Sequence, residues 1–377
     1  MTFESSGSGT IGSVGQMDPE THKLKFDRDG IGGLIGLHIM NIIFMVLTLF
    51  IYRFWALTRV RRAIWPRMSL DGTPLEYTGT GLEIFLGFLK VFLLILLPYG
   101  IFSNWVQSRI INPELGLSPL FVALSLVSSL GIFFLYTAAR YLAYRYRVNR
   151  TQWRGIRGSV GGAAYIYALK WIGYYFLAAI TFGIMKPWAD VKLLQYKLEN
   201  TKFGGRSLSF EATTTGLWKP YLLIFAIYLV ITVGATILGL NIAMEKAALG
   251  SELQPGDEAA MHWGIVSFIL IGMVACALAY LNYLVIFWRQ AVGKTSFGTI
   301  RFSFHPTRRQ IIGLFFGNWL IIILTLGLLA PIAWLRKGSF LARHLTINGA
   351  LDTDNLVQAE FDTDSRGEGL LGDFDIA

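Results

Sequence analysis

The sequence predicts an all-α polytopic integral membrane protein: seven apolar segments in three internal repeats, with short β-strand pieces at the cytoplasmic surface. Three observations carry that expectation. Of 377 residues, 54% are hydrophobic and only 15% charged, and the apolar ones gather into long runs, the mark of a chain that crosses a bilayer several times. A short phrase occurs three times at fixed internal spacing, which signals repeat architecture. Basic residues collect at the ends of the phrase-bearing runs, while the other connections are neutral or acidic.

The phrase runs from Thr48 to Arg59, from Thr181 to Lys192 and from Thr325 to Arg336. Without gaps, the copies share the threonine, an alanine eight residues on (Ala56, Ala189, Ala333), and a basic residue at the end (Arg59, Lys192, Arg336). A glycine follows in register at Gly72, Gly205 and Gly349.

In chain order, residues 1–21 begin with the Ser/Gly-rich Met1–Gln16, which has no basic segment leading into an apolar one and so reads as a disordered tail rather than a signal peptide. Repeat 1 covers 22–144. Its His22–Arg28 alternates like a strand, and an apolar run to Tyr52 carries the first phrase. Arg53, Arg59, Arg61, Arg62 and Arg67 follow, then a turn at Asp71-Gly72 and a strand-like Leu75/Tyr77. Two plain spans come next, near Leu82–Val106 and Leu117–Tyr141, each above the roughly 20 residues that a crossing needs.

Repeat 2 covers 145–288. It opens on the basic stretch Arg145–Arg157, carries its phrase in the run Gly158–Met185, and repeats the strand-like piece at Leu208–Phe210. Spans near Leu217–Ile242 and Trp263–Trp288 follow, joined by an acidic loop with Glu252, Asp257 and Glu258. The truncated repeat 3, 289–351, has a strand-like Ile300–Phe304 and the run Ile311–Leu335, without a further pair of spans. Residues 352–377 form an acidic tail, expected to be solvated and flexible.

Charge decides between two topologies. Basic flanks favour the cytoplasm, and here they stand on both sides of every phrase-bearing run. A run with both ends on one face must turn inside the membrane, and the phrase has the means: threonine bonds back to its own backbone, and Gly183/Pro187 and Gly327/Pro331 weaken a helix. The expected arrangement is four crossings plus three re-entrant helical hairpins, with both termini cytoplasmic. Seven kinked crossings are the alternative.

The phrase, with Asn41 or Asn318 seven residues before the threonine and a basic stretch with a glycine-containing strand after it, resembles the YjgN family of bacterial inner-membrane proteins, domain of unknown function 898. The resemblance extends from about Lys23 to Leu351. It implies a multi-pass inner-membrane protein and adds almost no chemistry. The chain departs from the family pattern at Phe50 and Phe54, where Gly and Pro are usual, at Tyr174 in place of Asn and at Ile332 in place of Trp. Copy 1 is therefore the one expected to have lost its helix break.

Candidate sites are few. His38 and Asn41 lie one turn apart and face the same way, so with Asn318 and Lys90 they can line a polar pocket; helix–helix hydrogen bonding and lysine snorkelling are the competing explanations. Arg59, Lys192 and Arg336, equivalent by repeat, can hold an anionic headgroup on the cytoplasmic rim, against the plainer alternative of positive-inside anchoring.

The net charge of +9 comes with no basic helix or RNA-binding strand pattern, so anionic phospholipid, and an unidentified membrane-protein partner, are expected rather than nucleic acid. The lone Cys276 sits in an apolar run as packing. No metal motif, nucleophile elbow or phosphate loop appears, and no cofactor is expected. Transport or lipid handling of an anionic solute or headgroup is the leading function, a non-catalytic accessory scaffold the second, and a membrane-embedded enzyme the third.

Overall fold

The computed structural model describes residues 21–111, 119–211, 213–249 and 255–350. The expected N-terminal tail, the Asn112–Glu114 connection, Glu252 and the acidic tail lie outside them.

The chain begins with strands β1 (Thr21–His22) and β2 (Leu24–Phe26), then helices α1 (Ile31–Leu47) and α2 (Arg53–Ile64), then β3 (Met68–Leu70) and β4 (Thr73–Tyr77). Helix α3 (Gly81–Val91) passes through a π-helical turn, Phe92–Leu96, into α4 (Leu97–Ile111), and α5 (Pro119–Asn149) returns. The second unit repeats the pattern: β5 (Thr151–Trp153), β6 (Ile156–Val160), α6 (Ala164–Ile180), α7 (Lys186–Glu199), β7 (Thr201–Phe203), β8 (Arg206–Ser207) and β9 (Ser209–Phe210), then α8 (Trp218–Leu249) and α9 (Pro255–Gly293). The last unit is β10 (Thr295–Phe297), β11 (Ile300–Phe304), α10 (Arg308–Leu324), α11 (Ala330–His344) and β12 (Leu345–Asn348).

Four helical stretches are long and apolar enough to cross a membrane: Gly81–Arg109, Pro119–Asn149, Trp218–Glu245 and His262–Gly293. Their 28 to 32 residues make rods of roughly 42–48 Å, longer than the ~30 Å hydrocarbon layer. Each is therefore long enough to cross with tilt or with an end beyond the lipid.

Each phrase breaks a helix in the same way. Helices α1, α6 and α10 are all 17 residues long, and each ends at the phrase threonine. Thr48 Oγ1 donates to the Phe44 carbonyl at 2.6 Å and accepts from the Tyr52 amide at 3.0 Å. Thr181 and Thr325 do the same with Leu177 and Met185, and with Ile321 and Leu329. The next two residues take positive φ in every copy: Leu49 and Phe50, Phe182 and Gly183, Leu326 and Gly327. Their amides return to the helix end, Phe50 to the Met45 carbonyl at 2.7 Å and Leu49 to Val46 at 3.2 Å, the Schellman arrangement. Gly183 and Gly327 bond identically to Ala178 and Ile322.

The expectation that copy 1 has lost its break is therefore corrected. Phe50 replaces the glycine but still adopts φ 67°, because the threonine clamp and the paired amide bonds over-determine the turn. A left-handed phenylalanine is strained by about 1 kcal/mol or more. Phe50→Gly is expected to raise the thermal midpoint of the purified protein, by about 1 kcal/mol of stability; an unchanged or lower midpoint would mean that the exposed ring holds the turn.

The second limb of each helical hairpin folds back on the first, and the phrase alanines fill the seam: Ala56, Ala189 and Ala333 are all buried. The strands before and after each hairpin then pair antiparallel, β2 with β3, β6 with β7, and β11 with β12. Both ends of every hairpin thus lie at the strands, and its turn lies at the opposite end. The turns are apolar and exposed, Leu49 at 85%, Phe182 at 84% and Leu326 at 92%.

The strands close on themselves. One sheet runs β2-β3-β4-β5-β6-β7-β8 and the other β1-β12-β11-β10-β9. Only Lys23 separates β1 from β2, and only Leu208 separates β8 from β9, so the two sheets join into a continuous ring. Its interior is packed: Phe297, Ile300 and Ile347 meet Leu70, Ile156, Phe203, Leu208, Phe302 and Leu345. Gly72, Gly205 and Gly349 sit at the strand ends with φ of 80°, 80° and 130°. At Gly349 a side chain would strike the Thr299 backbone at 2.5 Å, so glycine there is a packing requirement.

Candidate functional site

The residues singled out by the repeat stay within or beside their own hairpins. Arg59 is exposed and stacks on Tyr52, its guanidinium 5.7 Å from the ring centre. Lys192 is exposed and donates to Gln195. Arg336 is half-buried, its guanidinium lying against Gly317 of the facing limb.

His38 joins hairpin 1 to hairpin 3 through the Gly327 carbonyl at 3.1 Å and an edge contact with Trp334. Asn41 and Asn318 are both buried. Asn41 makes one long bond, 3.5 Å, to the Ala56 carbonyl, and its Oδ1 has no protein partner; neither polar atom of the Asn318 carboxamide has one. Lys90 is exposed in the last turn of α3. Of these, His38 reaches the third turn, and Asn41 bonds within its own hairpin.

A different set of cations converges. Between α3, the π-helical turn and α5 lies a cleft of about 440 Å³. Val91, Ile95, Leu96, Ile132 and Leu135 wall one part of it, and Arg140, Arg147 and, from α7, Lys197 stand in the other. Ile95 and Leu96 belong to the π turn, a device common at functional sites. Arg140 and Arg147 lie seven residues apart on one face of α5, and the small Ala143 between them leaves a recess.

Aromatic faces, rather than carboxylates, support two of these cations. Arg140 lies over Tyr136, and Lys197 sits 5.6 Å from the Tyr144 ring centre and 5.1 Å from that of Tyr167. Cation–π contact orients a charge without neutralising it. The carboxylates of neighbouring elements are engaged elsewhere: Glu83 by Arg150 and Tyr146, Asp190 by Lys186, Glu199 by Gln195. Burial, then the charges of Arg140 and Arg147, pull the Lys197 amine down to about 8. Among the described residues the positive charge of the cleft is therefore unbalanced.

A second cluster ties hairpin 2 to α9. Asp190 accepts from Tyr175 at 2.7 Å and Tyr283 at 3.2 Å, and pairs with Lys186 at 2.5 Å. Lys186 also lies over the rings of Tyr280 and Tyr283, and Tyr221 donates to the Gly183 carbonyl in the turn. Among the described residues no group of His, Cys, Asp and Glu is placed to hold a metal ion.

Sequence reasoning passed over both clusters. Asp190 occupies the phrase position that holds Leu57 and Trp334 in the other copies, and that mismatch was the available signal. Arg147 and Lys197 belong to the basic flanks of the second phrase-bearing run and Arg140 to the span before it, and nothing in their spacing connects α5 with α7.

Four spanning helices, three broken helical hairpins and a strand ring define a multi-pass membrane protein. The chain belongs to the family described as bacterial protein of unknown function (DUF898), whose model matches residues 21–373, in agreement with the resemblance carried by the phrase. Its similarity to the inner membrane protein YjgN of Salmonella typhimurium strain LT2 is 29% identity over 91 residues, 24% of this chain and 23% of that relative's length. No solved structure matches.

Proposed function

We propose that this protein resides in the bacterial inner membrane and handles an anionic amphiphile, with its headgroup at Arg140, Arg147 and Lys197 and its hydrocarbon chain along Val91, Ile95, Leu96, Ile132 and Leu135. The observation that carries this reading is the cleft itself, uncompensated positive charge opening onto an apolar groove. From Arg140 to Ile132 is eight residues of α5, about 12 Å, which suits a chain in one leaflet of a ~30 Å core.

In this reading the strand ring is cytoplasmic, since Arg140, Arg145, Arg147 and Arg150 crowd the strand-side end of α5. The hairpin turns then point into lipid, which accounts for apolar residues at their exposed tips. The packed interior of the ring argues against a solute path along its axis and favours lipid handling over a channel. A second reading, an accessory scaffold, draws on the exposed Lys25, Arg157, Lys202 and Arg301 of the ring.

Lys197 supplies the test. Its folded-state value is lowered, to about 8, so its charge is present below that pH and is lost as pH rises through it. The groups facing it are Arg140, Arg147, Tyr144 and Tyr167. Retention of phosphatidylglycerol relative to phosphatidylcholine, measured by native mass spectrometry, is expected to fall about fivefold between pH 7 and 9, one cation's worth at about 1 kcal/mol. Lys197→Arg should flatten the profile. Equal retention of the two lipids at pH 6 would remove the reading.

A further inference from the structure

The cleft carries more charge than a single phosphodiester can use. Arg140 and Arg147 are separated by two helical turns, about 10 Å along α5, and Lys197 enters from a separate helix. A headgroup with one anionic group at the membrane edge, beside Arg140, leaves Arg147, two turns further along α5, unanswered in a half-buried recess. That is costly where, among the described residues, no carboxylate stands in for the ligand. The recess beside Ala143 extends from the apolar groove toward the strand ring, so it has room for a headgroup drawn out along α5. Arginines suit such a group because the guanidinium fork binds phosphate oxygens in pairs, and lysine adds a point charge.

Resting on the function proposed above, we infer that the ligand is a lipid with two adjacent phosphate groups, a diphosphate-type headgroup on a hydrocarbon chain, rather than a monoanionic phospholipid. Arg140 holds the phosphate nearer the chain, Arg147 the outer one, and Lys197 adds its charge from α7. The hydrocarbon chain lies against Ile95, Leu96, Ile132 and Leu135.

The test uses the full chain in nanodiscs of phosphatidylcholine, titrated with dodecyl monophosphate, dodecyl diphosphate and inorganic pyrophosphate. The expected result is at least tenfold tighter binding of dodecyl diphosphate than of the monophosphate, with pyrophosphate alone weaker than either. Arg147→Gln should bring the two amphiphiles to within about twofold of each other while monophosphate affinity is kept, and Arg147→Lys should restore part of the preference. A thermal melt of each variant separates loss of preference from loss of fold. Equal binding of the two amphiphiles, both abolished when all three cations are replaced, would overturn the diphosphate assignment and leave the anionic-amphiphile reading standing. Pyrophosphate binding as tightly as dodecyl diphosphate would overturn the lipid source. Failure of both amphiphiles to bind would overturn the groove reading and this inference together.

Discussion

Replacing Arg140, Arg147 and Lys197 together by glutamine is expected to lower the affinity for an anionic amphiphile about 100-fold. Three cations near a membrane surface contribute about 1 kcal/mol each, and every 1.4 kcal/mol is a factor of ten. The three side chains line one cleft and have no carboxylate partner among the described residues, so their replacement strands no opposite charge and the fold is expected to survive. Apolar and aromatic lining stays in place, which makes charge the only variable. Neutralising Arg59, Lys192 and Arg336 is the matched control. These stand on three separate hairpins, with Arg59 and Lys192 exposed, and their loss is expected to change affinity less than threefold. The reverse ranking in a lipid-binding titration would move the site to the rim of the repeats and discard the groove.

Asp190→Ala is expected to give the largest loss of stability among single substitutions, about 3 kcal/mol, seen as a fall of several degrees in the thermal midpoint. The carboxylate joins three elements: Tyr175 on α6, Lys186 on its own helix and Tyr283 on α9. Removing it leaves Lys186 as an unpaired cation among aromatic rings and two hydroxyls without an acceptor, and breaking a buried pair from one side costs about 3–5 kcal/mol. The partial exposure of both side chains, 19% and 26%, places the expectation at the lower end. Asp190→Asn should lie between. The pair Asp190→Leu with Lys186→Met should recover much of the loss, because apolar replacements need no partner. A single alanine variant as stable as the parent would show that the cluster does not hold hairpin 2 to α9.

These two clusters also mark where the sequence was legible and where it was not. The strand pieces at Ile300–Phe304 and around Leu75 and Tyr77 were visible from alternation and turn residues, because both signals are local. Spans were visible from run length, although the helices extend well past the apolar stretch: α5 continues to Asn149, through the arginines that had been assigned to a basic flank. A hydropathy pattern ends where lipid ends, while a helix ends where its backbone finds other partners. Copy 1 was expected to lack the break because it lacks the Gly and Pro that accompany the threonine elsewhere. The cause common to all copies is the threonine, whose single hydroxyl both donates and accepts across the gap. The cleft was out of reach, since its cations come from helices whose meeting is decided by tertiary packing of Tyr141, Val160, Tyr167 and Leu193.

The ring of strands has a consequence for synthesis. β1 finds its partner in β12, with Thr21 opposite Asn348 and His22 opposite Ile347, and His22 also reaches the Gly349 carbonyl across 327 positions of chain. A nascent chain therefore carries its opening strand, with unpaired amides and carbonyls, through the insertion of every spanning helix before the matching strand emerges. Assembly is in this sense a circle drawn from one end, and β12, made after every other strand, decides whether β1 finds a place.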